Sequence, residues 1–448
     1  MVKRYRKKRK LKKWVKLFLV FILLFCIVSL FYFLFSKKNN IKNNKDVSKI
    51  TQAEIVSNIL SYDTEIDEEF LKWLLKNYGT DSLNKIDNYL KNNEYDKNIW
   101  HDVTGNSLIV LRDLYNDTYK NMDNVTIIKN TNKEVSIDFI GDVSLADNWC
   151  IAPKYDERGK KIYGILGKEV VDELAGADLS IANSEFTVSD RGEKLAGKLY
   201  NFKASPTRLS IYEEMGIDLV TLANNHVYDF GEYAFLDMLE SFDKYEIPHI
   251  GAGRNLEEAS KPYYFILNGY KVAFVNANRS EKNIMTPGAT DTEPGVLRCY
   301  DPTYFTNLIK DTKKDSDILI ALIHWGREDS HELEDVQIET SKMYIDAGAD
   351  LIVGSHAHVL QGVDFYKDKA IIYNLGDFIF NNEDKDTMIF KFTIDNEAKF
   401  RYYLIPAHQK DEFTDILKGK DRQQVLNNIV NYSDNKINIS ENGEVLKK

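Results

Sequence analysis

Cysteine is scarce in this chain, which has three among its 448 residues. Small secreted domains held together by disulfides are dense in cysteine, and structural zinc sites usually bind their ion through cysteine thiolates. The sequence therefore excludes a disulfide scaffold and disfavours a structural zinc site. Cys26 lies in an apolar run near the N-terminus. Cys150 and Cys299 would pair only if the fold brings them together, which their spacing does not establish.

Positive charge is also in short supply beyond the first sixteen residues. Residues 1–16 hold ten basic residues and no acid. Without them the 59 lysines and arginines of the chain fall to 49 against 69 acids, a net charge of −20, whereas the whole chain carries −10. Nucleic-acid binding needs a basic surface, so we exclude nucleic acid as a partner. A polyanion would be repelled unless metal ions or a local basic patch reverse the sign where it binds.

Residues 17–35 follow the basic segment directly and form a run of nineteen residues without a charge. A helix of that length crosses a bilayer core of about 30 Å. A cleavable signal peptide shares the basic start, but its apolar part is about 7 to 15 residues long and ends at a small-residue cleavage site, which is absent here. We expect an uncleaved, single-pass anchor in the cell membrane, with residues 1–16 in the cytoplasm and the main domain outside.

Two regions with different patterns follow a short polar linker at residues 36–46. Apolar residues recur at helical spacing in residues 47–130, which predicts a small helical module. In residues 131–448, short β-like runs alternate with amphipathic helical patterns, which predicts an α/β domain with much parallel sheet. The strands predicted there are EVSIDFI, ADLSIA, IDLVTLA, KVAFVNA, DILIALI, ADLIVG and KAIIYNL.

Residues able to bind metal ions stand at the ends of five predicted strands. They are Asp142, Asn183 with Glu185, Asn225 with His226, His324 with Glu328, and His356 with His358. The carboxyl ends of parallel strands share one crevice, so we expect these residues to converge. Carboxylate, amide and imidazole donors suit zinc, manganese or iron, and two such ions can activate water together. The sequence predicts a hydrolytic site with one or two divalent ions, with ions that only hold loops as the alternative.

Seven motifs in this order resemble a known family: FIGDVSLAD, ANSEFT, LANNHVYDFGEYAF, GAGRNLEEASKP, IHWGRE, GADLIVGSHAHVLQG and YNLGDFIF. The family is the bacterial capsule synthesis protein CapA, of poly-γ-glutamate biosynthesis, a branch of the calcineurin-like metallophosphoesterase superfamily. The resemblance covers residues 133–410 and leaves the helical module outside. It implies the four-layer sandwich of that superfamily, in which two β-sheets pack together with helices on the outside.

The resemblance also implies roles for the residues at the strand ends. The implied first-site ligands are Asp142 and His358, the bridging ligand is Glu185, and the second-site ligands are Asn225, His324 and His356. His226 is similar to the histidine that protonates the leaving group or steadies the transition state. A histidine bonded to a backbone carbonyl at a strand end is the alternative for His226.

One departure from the family pattern affects the first site. Most phosphoesterases of the superfamily have a histidine two residues after the first aspartate, and here Ser144 takes that place. The first site is therefore short of a nitrogen ligand, a gap that Asp147 or water would fill. Asp377 stands where the family often has asparagine, and the sequence leaves its role open.

Further residues near these motifs are weaker candidates. The predicted substrate contacts are Asn183, Lys203, Arg254 and Arg279. Cations in such positions can hold an anionic group, although a surface or capping role is at least as good an explanation for Arg254. Glu328 is either a catalytic base or an ordinary acid at the start of a helix, and Trp325 is a candidate for the pocket wall.

Three functions agree with the sequence. The first is a membrane-anchored protein that serves the synthesis, export or attachment of a poly-γ-glutamate-type capsule polymer through a metal-dependent hydrolytic site. The second has the same site but acts on a phosphate ester of the cell envelope or of a nucleotide. The third is a non-catalytic anchor or scaffold of a polymer synthase complex, with membrane synthase subunits as its partners.

Overall fold

The structure, a computed structural model, describes residues 45–62, 66–128, 134–280, 285–395 and 399–448, with side chains from residue 54 onward. The predicted anchor at residues 17–35 and the basic segment before it lie outside the described residues. Within the described ranges, no helix combines the length and the apolar character that a membrane crossing needs. The chain divides into two compact units, one ending at Asn116 and the other spanning Asp117–Lys448.

The first unit is helical. Its helices are α1 (Lys45–Tyr62), α2 (Glu68–Tyr78), α3 (Thr80–Asn92), α4 (Asn98–Thr104) and α5 (Leu108–Tyr115). The carboxylate of Asp67 caps α2 by accepting a hydrogen bond from the Phe70 backbone N–H at 2.7 Å, and the hydroxyl of Ser107 caps α5 in the same way. The buried faces of these helices, with Phe70, Leu83 and Trp100, form one apolar core.

The boundary between the units lies earlier than the sequence suggested. We expected the α/β domain to begin at residue 131. Instead, strand β1 (Val125–Ile128) pairs in parallel with residues 264–267, which belong to the second unit. This pairing assigns residues 117–128 to the α/β unit rather than to the helical module.

The second unit alternates strands and helices as predicted. In chain order its further strands are β2 (Val135–Val143), β3 (Leu179–Ser184), β4 (Thr187–Val188), β5 (Lys203–Ala204), β6 (Leu219–Thr221), β7 (His249–Ile250), β8 (Ala252–Gly253), β9 (Tyr263–Leu267), β10 (Tyr270–Asn278), β11 (Gly295–Val296), β12 (Ile318–His324), β13 (Leu351–Ser355), β14 (Val363–Tyr366), β15 (Lys369–Ile372), β16 (Asp377–Ile379), β17 (Lys385–Ile394), β18 (Phe400–Lys410), β19 (Phe413–Ile416), β20 (Ile437–Ile439) and β21 (Val445–Lys447). Its α-helices are α6 (Ile151–Glu157), α7 (Lys168–Gly176), α8 (Ser210–Met215), α9 (Glu232–Lys244), α10 (Leu256–Ala259), α11 (Thr303–Lys314), α12 (Asp335–Ala347) and α13 (Gly419–Tyr432), and short 3₁₀ helices lie at Thr118–Lys120, Ile162–Gly164 and Pro206–Leu209. The predicted strands correspond to β2, β3, β6, β10, β12, β13 and β15.

Most of these strands belong to two large sheets. In sheet A, the seven strands lie in the order β1-β9-β10-β12-β13-β15-β14. In sheet B, the order is β19-β18-β17-β2-β3-β6-β7, and β16 pairs with β2 as the eighth strand. Strands β10, β12, β13 and β15 run parallel in sheet A, as do β2, β3, β6 and β7 in sheet B. Near the C-terminus, β17 and β18 form an antiparallel pair.

The two sheets pack face to face, with helices on their outer faces. The apolar core between them contains Phe139 of sheet B and Phe274 of sheet A. Helices α7, α8 and α9 cover the outer face of sheet B through side chains such as Phe235, and α11 and α12 cover sheet A through side chains such as Phe305 and Tyr344. The predicted α/β class, with two sheets and flanking helices, is confirmed.

Two glycines allow the strand ends to approach neighbouring backbone. A Cβ atom at Gly141 on β2 would lie 1.8 Å from the carbonyl oxygen of Gly376, and one at Gly354 on β13 would lie 2.0 Å from that of Tyr373. Only glycine fits at either position. The first contact brings Gly376 against Asp142, whose backbone N–H donates to the Gly376 carbonyl oxygen at 3.0 Å.

The two cysteines of the second unit do not pair. Cys150 and Cys299 are both free. Burial raises the pKa of the Cys150 thiol to about 11 and that of the Cys299 thiol to about 12, so both are protonated at neutral pH.

A buried carboxyl group lies in the middle of β2. The side chain of Asp138 is fully buried, and the nearby ammonium nitrogen of Lys391 is 3.7 Å from its Oδ1. Burial raises the pKa of Asp138 to about 8, although the positive charge of Lys391 opposes this shift. Asp138 is therefore mostly protonated at neutral pH.

We predict that Asp138 makes the second unit less stable as the pH rises from about 4 to about 8, because the carboxyl is then ionised in the unfolded chain but still protonated in the folded one. The variant Asp138→Asn keeps the shape and cannot ionise. Its free energy of unfolding, measured by urea titration at a series of pH values, should fall less over this interval. The exposed Asp291→Asn is the control. Equal pH dependence in Asp138→Asn and the unsubstituted protein would contradict the prediction.

Candidate metal centre

The predicted metal-binding residues come together where the two sheets share an edge. Sheet B and the loops that follow its strands supply Asp142, Asn183, Glu185, Asn225 and His226, while sheet A supplies His324, His356 and His358. Parallel pairing places Asp142 opposite Asn183 in sheet B and His324 opposite Ser355 in sheet A. The carboxyl ends of both sets of strands thus meet at one place, as expected for a ligand crevice in an α/β fold.

Asn183 is a bridge between the two carboxylates of this centre. Its Nδ2 donates to Asp142 Oδ1 at 2.8 Å and to Glu185 Oε2 at 3.2 Å. Its Oδ1 accepts from Thr221 Oγ1 at 3.0 Å and from Asn224 Nδ2 at 3.2 Å. We predicted that Asn183 contacts substrate. Its amide is buried and bonded on both ends, which holds Asp142 and Glu185 in place, and the contact with substrate stays a prediction.

His324 and His356 lie side by side, with their ring centres 4.6 Å apart. His324 Nε2 is 2.7 Å from Asn225 Oδ1 and 3.5 Å from Glu185 Oε1. The backbone N–H of His356 donates to Asp142 Oδ2 at 3.0 Å. The three ligands implied for the second site are therefore close to the two buried carboxylates.

His358 lies between two carboxylates. Its Nδ1 is 2.7 Å from Asp377 Oδ1 and 3.5 Å from Asp142 Oδ2. The other oxygen of Asp377 accepts a hydrogen bond from Asn381 Nδ2 at 2.9 Å and lies 3.8 Å from the ammonium of Lys385. Asp377 is fully buried, so it is part of the centre, a role the sequence left open.

His226 is held by a buried aspartate and a lysine. Its Nδ1 is 2.7 Å from Asp229 Oδ2, and its Nε2 faces the centre, 4.0 Å from Glu185 Oε1. The backbone N–H of Phe202 donates to the same oxygen of Asp229 at 2.8 Å, and the Lys198 ammonium forms an ion pair with the other oxygen at 2.7 Å. A carboxylate on Nδ1 fixes the ring and leaves Nε2 for a proton transfer at the centre.

Two loops are tied to the backbone next to His226. The carbonyl oxygen of Asn225 accepts hydrogen bonds from the ammonium of Lys198 and from the hydroxyl of Thr286, the latter at 2.7 Å. Arg298 donates in turn to the carbonyl oxygen of Thr286 at 3.0 Å. The loop that carries Lys198 and the loop that carries Thr286 therefore meet at one peptide group of the centre.

Burial makes this collection of charges costly without a cation. Removal from water, together with the charge of Glu185, raises the pKa of Asp142 well above its usual range. Removal from water also raises the pKa of Glu185 to about 7, although the charges of His358 and His226 oppose this shift. Burial lowers the pKa of His324 and His356, which are therefore neutral and able to bind metal. Burial also opposes the charge on His358, but the surrounding carboxylates raise its pKa well above the usual value.

The residues present fit a divalent metal ion. Donor atoms within 4.8 Å of one another form three overlapping groups, Glu185 with His356 and His358, Asp142 with Glu185 and His324, and Asp142 with His358 and Asp377. Among the described residues, Glu185 Oε1 and His356 Nδ1 are buried with no hydrogen-bond partner. His356 and His358 also have positive φ angles of 96° and 57°. Backbone strain of this kind in non-glycine residues is typical of functional sites.

The three cations predicted to contact substrate are engaged elsewhere. Arg254 is half exposed and pairs with Asp243 at 3.3 Å. The ammonium of Lys203 donates to a backbone carbonyl oxygen of the preceding loop at 3.2 Å. The guanidinium of Arg279 lies 4.4 Å from the centre of the Tyr300 ring. Within the described part of the chain, none of them pairs with a carboxylate of the centre, and their contact with substrate stays a prediction.

Glu328 and Trp325 lie outside the buried cluster of the centre. Glu328 is exposed in the loop after β12, so its carboxylate is at the surface rather than in the buried centre. The ring of Trp325 is fully buried and donates from Nε1 to the carbonyl oxygen of Tyr373 at 3.0 Å. Trp325 therefore packs in the core on the outer side of sheet A and does not form a pocket wall.

A comparison with known protein families identifies the family of this chain. Residues 136–382, more than half of the chain, match the family described as "Bacterial capsule synthesis protein PGA_cap". The chain belongs to the PGA_cap family. The matched range contains every residue of the centre, and the family resemblance recognised from the motifs is confirmed.

Two relatives of this PGA_cap chain are proteins of Bacillus species. It is 28% identical over 280 residues to "PGA biosynthesis protein CapA" of Bacillus subtilis (strain 168), which covers 61% of this chain and 71% of that protein. It is 27% identical over 268 residues to "Capsule biosynthesis protein CapA" of Bacillus anthracis, covering 58% and 65%. Among solved structures, the NAD nucleotidase of Haemophilus influenzae aligns with 66% of this chain and 55% of that chain, at 14% identity and a TM-score of 0.36.

Sequence reasoning missed the two residues that hold His226. Asp229 stands three residues after His226 in the motif LANNHVYDFG, a spacing that would have suggested a partner. Lys198 lies in the polar stretch SDRGEKLAGKLYN, where nothing distinguishes it from Lys194. The difference between these two lysines is visible only in the fold of this PGA_cap chain, where Lys198 is buried against Asp229.

We predict that Lys198→Met lowers the free energy of unfolding by about 3 kcal/mol, because it leaves the Asp229 carboxylate buried without its countercharge. Urea titration measures the loss. The exposed Lys194→Met, in the same loop, is the matched control and should change stability by less than about 0.5 kcal/mol. The double variant Lys198→Met/Asp229→Asn should regain much of the loss, since no charge is then left unpaired. A double variant no more stable than Lys198→Met would refute this explanation.

Proposed function

We propose that this chain serves the synthesis, export or attachment of an anionic capsule polymer of the poly-γ-glutamate type, through a hydrolytic centre with one or two divalent ions. The observation that carries the proposal is the buried cluster of Asp142, Glu185, His324, His356 and His358 at the shared edge of the sheets, in a chain of the PGA_cap family. Zinc, manganese and iron are the ions that such ligands suit. The proposal includes the calcineurin-like metallophosphoesterase arrangement, which the two sheets and their outer helices support.

The names of the relatives support the choice of polymer. The two Bacillus proteins are named for PGA biosynthesis and for capsule biosynthesis. The chain spans 71% and 65% of their lengths. The polymer, and membrane synthase subunits as partners, are carried over from these names and from the predicted anchor as part of the proposal.

Each group at the centre has a task in the proposed reaction, hydrolysis of an ester or amide. A divalent ion bound there would polarise the bond to be cleaved and make water more acidic. Asn183 keeps Asp142 and Glu185 in a fixed position through its two hydrogen bonds. His226, oriented by Asp229, would deliver the proton from Nε2 to the leaving group.

The charge of the chain gives the metal a second purpose. Beyond residue 16 the protein has a net charge of −20, which repels a polyanion. The centre itself concentrates the carboxylates of Asp142, Glu185 and Asp377. Divalent ions held by these groups would reverse the local sign and allow an anionic chain to approach.

A phosphoesterase is the second candidate, and the arrangement of His226 suits it equally well. An imidazole fixed by a carboxylate and directed at a metal centre suits protonation of an alkoxide leaving group as well as of an amine. The same protein preparations can therefore be tested on poly-γ-glutamate and on phosphate esters of nucleotides and cell-envelope sugars.

We predict that the detergent-solubilised full chain binds divalent metal and that Asp142→Asn and His358→Ala each lose it, because both residues supply donors to one group. Mass spectrometry of metal content measures the binding, and hydrolysis of both substrate classes measures turnover. Turnover should fall at least about 100-fold in the two variants. The matched control is His408→Ala, since His408 pairs with Asp384 and Asp386 outside the centre.

Two results would reject the catalytic proposal. One is unchanged turnover in Asp142→Asn or His358→Ala, with the fold checked by circular dichroism. The other is the absence of bound metal in the folded, unsubstituted protein after incubation with zinc, manganese and iron. The second result would favour the scaffold function and direct the search to protein partners.

We further propose that residues 17–35 anchor the chain in the cell membrane, with the main domain outside. The full chain should sediment with membranes and require detergent for extraction, whereas a chain that begins at residue 36 should be soluble. Protease added to intact cells should digest the domain, and a cytoplasmic marker protein should survive. Membrane association of the shortened chain, or protection of the domain in intact cells, would contradict this proposal.

A further inference from the structure

The first metal site has a gap at the position of Ser144, where the superfamily pattern has a histidine. Ser144, two residues after Asp142, is fully buried, and its hydroxyl has no hydrogen-bond partner among the described residues. Asp147 was the sequence candidate for the missing ligand. Its carboxylate is at the surface, where it pairs with Arg208 at 2.7 Å and accepts from the Ser205 backbone N–H at 2.6 Å. Asp147 is therefore committed to another contact.

Strand β16 brings a different carboxylate to the gap. It runs parallel to the end of β2 and places Asp377 opposite Asp142. The backbone N–H of Ser144 donates to the carbonyl oxygen of Ile379 at 2.7 Å, which fixes the two segments side by side. Asp377, the first residue of β16, thus lies in the centre beside the backbone segment that contains Asp142 and Ser144.

The donor atoms of three residues lie close enough together to reach one ion. Asp377, His358 and Asp142 each offer one atom within 4.8 Å of the others. The nitrogen of His358 that lies 3.5 Å from Asp142 Oδ2 is Nδ1, and this same atom is 2.7 Å from Asp377 Oδ1. Two donors with bonds of about 2.1 Å to one ion lie roughly 3 to 3.5 Å apart. The distance from His358 to Asp142 has this value, whereas the 2.7 Å from His358 to Asp377 is a hydrogen-bond distance that would lengthen when an ion binds between them. An ion shared by Asp142 and His358 through Nδ1 would then be in reach of Asp377.

The remaining contacts of Asp377 keep one oxygen available. Asn381 Nδ2 donates to Oδ2 at 2.9 Å, and the Lys385 ammonium lies on the same side at 3.8 Å. These contacts orient the carboxylate, so that Oδ1 is directed at His358. Lys385 is itself held by Asp329 at 2.9 Å and by Glu383 at 2.6 Å, which leaves its charge shared among three carboxylates.

We propose that Asp377 is a ligand of the first metal site and takes the place of the histidine that Ser144 replaces. The proposal rests on the metal centre of the proposed function. The alternative role for Asp377 is positioning, in which its carboxylate only orients His358 by accepting a hydrogen bond from Nδ1. The two roles differ in whether a histidine at position 144 can compensate for the loss of Asp377. If Asp377 is a ligand, that histidine can bind the same ion in its place. If Asp377 only positions His358, a histidine at position 144 cannot take over that role.

The test compares metal binding in the detergent-solubilised full chain and its variants Asp377→Ala, Ser144→His and Asp377→Ala/Ser144→His. After removal of bound metal, the number of Mn²⁺ ions and their Kd are measured by electron paramagnetic resonance. We expect Asp377→Ala to bind one ion fewer, or to bind it more than about 100-fold weaker, which exceeds the 10–100-fold effect typical of a residue that only supports a ligand. The double variant should recover that ion to within about tenfold of the unsubstituted chain.

Visible absorption of bound Co²⁺ gives an independent readout, because its bands report the ligand set. At saturating Co²⁺, Asp377→Ala should show altered absorption bands. If the double variant does not fold, these bands alone decide whether Asp377 is a ligand or a positioning group. Asp386→Ala removes an aspartate that pairs with His408 outside the centre, and it should match the unsubstituted chain in both measurements.

The possible failures are distinguishable. If Asp377→Ala keeps every ion within about 100-fold of the original Kd and keeps its Co²⁺ bands, Asp377 is not a ligand, while the proposed function stands. If a weakened Asp377→Ala gains nothing from Ser144→His and its Co²⁺ bands are unchanged, Asp377 only positions His358. If the unsubstituted, folded chain binds neither Mn²⁺ nor Co²⁺, the metal centre is absent, and both proposals fall together.

Discussion

Two carboxylates lie out of water at the shared edge of the sheets. They require hydrogen bonds or countercharge, which the rest of the α/β unit supplies. Asp142 and Glu185 are fully buried, and buried carboxylates persist only with hydrogen bonds or countercharge. Asn183 supplies a hydrogen bond to each, and the register of sheet B, with Asp142 opposite Asn183, makes that bridge possible. The glycine at position 141 is needed for a similar reason. Because it has no side chain, the backbone just before Asp377 can lie against β2.

Two histidines of the centre, His226 and His358, are held by the same arrangement of side chains. Two chains of lysine, aspartate and histidine lead into it, Lys198–Asp229–His226 and Lys385–Asp377–His358. In each chain the aspartate contacts Nδ1 of the imidazole and the lysine lies on the far side of the carboxylate. The lysine of the first chain forms a close ion pair, whereas that of the second is farther away, so the second aspartate keeps more of its charge for the centre.

The elements that sequence reasoning predicted are those whose signal is local. Strand ends such as His324 on β12 were predictable because a buried parallel strand is a continuous apolar run and its first polar residue marks the end. The direction of a side chain was not. Arg279 follows Val275 and Ala277 with strand alternation, and both of those residues face the outer helices. The sequence shows the alternation, but which face of β10 lies outward depends on how the two sheets pack against each other. For β1 and β16 the signal is weaker still, because strands of four and three residues acquire their identity from distant partners.

The peptide group between Asn225 and His226 joins parts of the protein that are usually independent of one another. Its carbonyl oxygen receives the ammonium of Lys198 from one loop and the hydroxyl of Thr286 from another. Lys198 also neutralises the aspartate that orients His226. A displacement of the Lys198 loop would therefore remove the countercharge of Asp229 and a hydrogen bond to the peptide before His226 at the same moment. The orientation of His226 therefore depends on the position of a loop that lies far from it in the sequence.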